Sequence, residues 1–155
     1  MSRLRPFYPR HLPRHRHTLR RARDRKIVSE TLTVIGPDST PAAKAALAAG
    51  DQNRYWQYST LFFINQGQEN SGYVTDEFLT NIAEKTPGLN VSQWDETRES
   101  DAVQSELDAA RSRAQDDGVT ATPTLVVSGP QGTKKLVGAV PPDQVAAAID
   151  EVEAT

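Results

Sequence analysis

The sequence predicts an α/β fold with a helical insertion. Three observations lead there. Lys26 to Ile35 reads KIVSETLTVI, a run rich in β-branched residues that favours a strand. Residues 41 to 117 then carry apolar side chains at helical spacing. From Thr124 the pattern returns to short β-branched runs divided by a turn, and a last helix follows.

Taken in order, Gly36-Pro37 stops the first strand. Asp38 or Ser39 can cap the next helix, with Pro41 in its first turn. That helix, Pro41 to Ala49, is alanine-rich, so it is expected to pack closely against a neighbour, and Gly50 ends or kinks it. Asp51 is read as the cap of a second helix running to Gln66, with Tyr55, Trp56, Tyr58, Phe62 and Phe63 near helical spacing. Five of the ten aromatics fall there, and their expected role is packing. Gly67 to Tyr73 is a polar loop. Thr75 opens a third helix, whose Asp76 and Glu77 suit the positive N-terminus, whose Phe78, Leu79 and Ile82 form an apolar stripe, and which Pro87-Gly88 ends. Val91 to Asp117 reads as a short turn and then one long surface helix with Trp94, Val103, Leu107 and Ala110 inward. TLVV (124–127) and KKLVGAV (134–140) form a hairpin around a Ser128–Gly132 turn. Pro141-Pro142-Asp143 starts the final helix, with Val145, Ala148, Ile149 and Val152 inward.

Composition narrows the function. The 155 residues suit one ordinary domain. Zero cysteine removes disulfides, thiol nucleophiles and thiolate metal sites. There is no apolar run long enough to span a membrane, and no secretory signal is visible in this sequence. The net charge of −2 hides a division: Met1 to Lys26 holds ten basic residues against one acid, a balance of +9, and the rest holds eight against nineteen, a balance of −11. The expected organisation is a basic Arg/Pro/His-rich disordered head, residues 1–26, and a folded domain, residues 27–155. The head admits three readings: a nucleic-acid binder, a targeting peptide, or a stretch of the kind a wrong frame of a GC-rich gene produces. A targeting peptide fits poorly, because prolines interrupt the segment and serine is nearly absent. Pro13 lies between His11 and His15 and breaks the helix that metal ligation at that spacing needs, so no metal site is expected.

Two stretches carry a resemblance. The first is Leu32 to Ser39 (LTVIGPDS), the alanine run, and Ala49-Gly-Asp-Gln-Asn-Arg-Tyr-Trp56 through Leu61-Phe62. The second is Gly118-Val-Thr-Ala-Thr-Pro-Thr-Leu-Val126. Together they resemble the DsbA-like branch of the thioredoxin superfamily over roughly Lys26 to Val152. The resemblance implies a thioredoxin-like fold with an inserted helical subdomain at about 41–117, and disulfide interchange as the family's activity. It also implies a cis-proline loop at Thr122-Pro123 that borders the substrate site, and a cell-envelope or periplasmic setting. A proline amide tolerates cis far better than other amides, which suits Pro123 just ahead of a strand.

The departure from the family lies in its chemistry. The Cys-x-x-Cys that would supply a low-pKa thiolate at a helix N-terminus should fall near Met1, where the basic head stands. Arg5-Pro-Phe-Tyr8 has the outline of such a motif without its sulfurs. The family's first strand and the start of its active-site helix are therefore expected to be missing or degenerate, which leaves the hairpin that begins at Thr124 with an unpaired edge open to aggregation or a partner. The ranked expectations are a family member redox-inactive as written, its catalytic end lost by truncation, frameshift or a wrong start, then a binding module for extended or unfolded polypeptide. Nucleic-acid binding through the head comes last. No catalytic residue and no cofactor is expected. Asp76-Glu77, Asp95-Glu96, Asp116-Asp117 and Asp150-Glu151 are adjacent carboxylates that do not face each other on a helix, and Gly129-Pro-Gln-Gly132 is a turn rather than a phosphate cradle. Oligomeric state is not readable.

Overall fold

The computed structural model describes residues 26–153. The basic head expected over residues 1–26 thus lies outside the described residues, apart from Lys26. The described chain forms six helices and one hairpin: α1 (Ser39–Asp51), α2 (Tyr55–Ile64), α3 (Asp76–Lys85), α4 (Val91–Arg98), α5 (Asp101–Asp116), β1 (Thr124–Gly129), β2 (Gly132–Val137) and α6 (Pro142–Glu153). Two compact units divide the chain between Arg111 and Ser112.

The first unit is built around α1. Its alanines let neighbouring backbones come close, and Ala45, Ala48 and Ala49 are wholly buried where α2 and α4 pack against it. Trp94 of α4 is also fully buried and donates its indole N–H to the Ala45 carbonyl at 2.8 Å. Tyr58 of α2 packs beside Trp94 with ring centroids 5.8 Å apart, and its hydroxyl donates to the Leu79 carbonyl at 3.2 Å. Burial raises the Tyr58 phenol well above its ordinary value, against the opposing charge of Arg98. Leu79 and Ile82 of α3, with Val103 and Leu107 of α5, complete the core. The aromatic run of α2 therefore does pack, as its spacing predicts, although Phe63 and Ile64 at the helix end remain exposed.

The structure departs from the expected elements at several points. Lys26 to Ile35 is not a strand: it lies outside any helix or strand, and Ile27, Val28, Val34 and Ile35 are exposed. β-branched residues favour a pleated, half-buried surface, and a strand needs a neighbour to take its N–H and C=O groups. Among the described residues no strand pairs with this segment. It is tied instead by side chains, with Ser29 and Thr31 hydroxyls 2.7 and 2.9 Å from the Tyr55 hydroxyl. Second, Asp51 does not cap α2 but ends α1, which runs on through Gly50. Asn53 then takes a left-handed conformation (φ 59°) and breaks the path, so α2 starts at Tyr55. Third, the short turn expected from Val91 is itself a helix, α4, and the long helix expected before Gly118 follows it as α5. Ser100 separates the two, its side-chain oxygen accepting from the Val103 N–H at 3.4 Å as a cap does. Arg98 closes α4 with bonds to Asp95 (2.8 Å) and Asp76 (2.9 Å). Of the expected caps, neither Asp38 nor Ser39 caps α1 through its side chain; Asp38 accepts from the Gly72 N–H at 3.1 Å instead.

The second unit holds the hairpin and α6. The antiparallel register runs from Thr124 opposite Val137 to Gly129 opposite Gly132, leaving Pro130-Gln131 as the turn. β2 is shorter than expected and ends at Val137, because Gly138 adopts a positive φ of 85°. α6 lies on the hairpin through Ala148 and Val152. The fit is close at Gly129, where any Cβ would come within 2.4 Å of the Val152 carbonyl oxygen. The turn is fastened by Gln131 N–H donating to that same carbonyl at 3.0 Å, and Lys134 pairs with Glu151.

Candidate functional site

The segment that leads into β1 is set by how α5 ends. Gly118 takes φ 60°, which only glycine adopts freely. Val119 N–H then reaches the Ala114 carbonyl at 2.8 Å and Gly118 N–H the Gln115 carbonyl at 2.9 Å, a paired C-terminal lock. Lys135 of β2 adds its ammonium to the carbonyls of Asp117 and Gly118, where the helix dipole favours a cation. The chain is thereby aimed at Ala121-Thr122-Pro123, all three exposed.

The Thr122–Pro123 peptide bond is cis. Two bonds hold the residues around it. The Thr124 hydroxyl donates to the Ala121 carbonyl at 2.6 Å, and Gly138 N–H donates to the Pro123 carbonyl at 2.7 Å. The second bond fixes the phase of the ladder. In an antiparallel pair, residues alternate between facing their partner strand and facing away. With Pro123 bonded toward β2, Leu125 and Val127 face it as well. The backbone groups of Thr122, Thr124, Val126 and Ser128 point to the opposite edge. Among the described residues no strand covers that edge, and the Thr122 N–H and C=O have no hydrogen-bond partner. Leu125, next to it, is 40 % exposed.

The sequence resemblance named Thr122 and Pro123 as candidate site residues. The outward row Thr124, Val126 and Ser128 was not named, because which residues face the uncovered edge depends on the ladder phase. No cluster of three or more His, Asp or Glu side chains among the described residues is placed to hold a metal ion. No helix among them is long and apolar enough to cross a membrane.

The first unit contains a separate feature, a cavity of about 190 Å³ between α1, α2 and the segments around residues 31–35 and 69–74. Ala43, Ala46, Tyr55 and Phe62 form its buried floor, and Ile35 and Phe63 its exposed rim. No sequence signal pointed to it, since four separated segments build it.

An α/β chain with a helical insertion, a cis-proline before its hairpin and a terminal helix defines the thioredoxin-like class. The family model for DSBA-like thioredoxin domains matches residues 16–150, and the chain belongs to that family. It is 30% identical over 98 residues to a probable disulfide bond formation protein D of Bacillus anthracis, a match covering 61% of this chain and 45% of that protein. Its fold is similar to a thioredoxin-like oxidoreductase from Silicibacter pomeroyi DSS-3 (TM-score 0.62, 24% identity, 78% of this chain and 64% of that one). It is also similar to the catalytic domain of Proteus mirabilis ScsC (TM-score 0.60, 16% identity, 81% of this chain and 64% of that one). The chain thus spans under half the length of the curated relative and under two thirds of these solved chains. Against that family background it contains no cysteine, so its own side chains cannot carry thiol–disulfide exchange.

Proposed function

We propose that this chain is a redox-inactive binding module of the DsbA-like family, which holds a segment of extended polypeptide along the outer edge of β1. Its folded domain is residues 27–155, with the helical insertion at about 41–117. Thr122 and Pro123 border the bound chain. The observation that carries the reading is the exposed Thr122, whose backbone N–H and C=O lack partners among the described residues at the head of an uncovered strand edge. Such an edge is a template for one more strand, with main-chain hydrogen bonds supplying affinity and side chains supplying preference. Leu125 offers an apolar contact beside it. No observation favours the nucleic-acid reading, which rests on residues 1–26.

The test is a titration of the full chain with an unfolded, cysteine-free peptide and with the same peptide N-methylated at alternate residues. Removing a single backbone bond worth about 1 kcal/mol weakens binding about fivefold, and several removed together abolish it. Equal affinity for the two peptides, or none for either, refutes the proposal.

A further inference from the structure

The cavity in the first unit has the features of a small-molecule site, and it is distinct from the β1 edge. We propose that it binds a small organic cation, an ammonium group carried on a single ring or a short aliphatic body. Size sets the first limit. An apolar cavity of about 150 Å³ is enough to hold benzene, and this one measures about 190 Å³. Shape and surface set the second. The buried floor is alanine methyls and aromatic faces, which match an apolar body.

The polar groups then select the head. Ser59 is on the wall, and its Oγ is buried with no hydrogen-bond partner among the described residues. A buried hydroxyl without a partner costs free energy that a ligand donor would recover. Among the described residues the charged side chains that line the cavity are Asp38 and Glu69, and no lysine or arginine lines it. Both carboxylates act on Tyr73, whose phenol is pushed up first by burial and then by these two charges. Phe62 stands 6.3 Å from Tyr73 and 5.7 Å from Phe63, ring centre to ring centre, so a cation entering here meets aromatic faces as well as carboxylates. An anion would be repelled by both carboxylates, and a neutral body would gain the apolar floor but not the attraction of the carboxylates.

Three probes of nearly equal size separate these cases: benzylammonium, benzyl alcohol and benzoate, titrated into the full chain near neutral pH and followed by proton NMR. The expected order is benzylammonium first, benzyl alcohol weaker and benzoate undetected, with ring-current shifts on Phe62 and Tyr73. Glu69→Gln, an exposed substitution that leaves the core intact, should weaken benzylammonium about two- to fivefold and leave benzyl alcohol unchanged. Added salt should narrow the preference in the same direction. Equal binding of the three probes, no binding at all, shifts outside the cavity, or a Glu69→Gln variant with unaltered preference would each overturn the proposal.

Discussion

At the scale of single residues, Trp94 ties distant sequence together. Its indole reaches the Ala45 carbonyl across 49 positions, and its ring supports Tyr58. Trp94→Ala should cost about 3–5 kcal/mol, a large share of the roughly 5–15 kcal/mol that holds a domain folded. Trp94→Phe keeps most of the apolar area and removes one hydrogen bond from a carbonyl that keeps its helical partner, so about 0.5–1.5 kcal/mol is expected. Denaturant midpoints of the two variants check both values. Tyr58 gives a pH signature. Its phenol ionises less readily when folded, chiefly because it is buried, and its ordinary value is 10.0. The folded state therefore holds that proton more tightly. Stability from this group is complete below the ordinary phenol range and falls as pH rises through and beyond it. Wild type should lose stability in this alkaline window more steeply than Tyr58→Phe, as urea unfolding at a series of pH values will show. Matching pH profiles would mean that the phenol ionises equally well in both states.

At the scale of elements, Gly118 is where α5 hands over to the candidate site. Gly118→Ala forces a Cβ into a left-handed conformation and toward the Lys135 ammonium, 3.3 Å away. It should destabilise by about 1 kcal/mol or more, seen as a lower thermal midpoint together with changed amide shifts at Ala121 and Thr122. Elements whose cause is local were legible in the sequence. The hairpin follows from its β runs and turn, α1 from its alanines, α3 from Thr75, whose hydroxyl accepts from the Phe78 N–H. Elements whose cause is remote were not. KIVSETLTVI has strand composition, yet composition supplies no partner. The break between α4 and α5 rests on Ser100 acting as a cap, which a periodic run of Trp94, Val103 and Leu107 conceals. Thr122 and Pro123 were named through the family motif and an unpaired hairpin edge was expected from the missing first strand, whereas the residues that face that edge follow from ladder phase, and the cavity from four segments meeting in space.

At the scale of the whole molecule, the chain has the family's fold without the family's reactive group. With no thiol anywhere in its 155 residues, full-length protein should leave insulin reduction and scrambled-disulfide refolding at the uncatalysed rate. What the DsbA-like scaffold retains is an exposed strand edge, and binding of extended chain there is the central claim. It is tested most directly by amide NMR of the full chain during titration with an unfolded, cysteine-free peptide. Saturable shifts concentrated at the Thr122, Thr124, Val126 and Ser128 amides are expected, with Leu125 and Val127, which face β2, moving less. Shifts that fail to saturate, that fall elsewhere, or that do not distinguish the two alternating sets would contradict it.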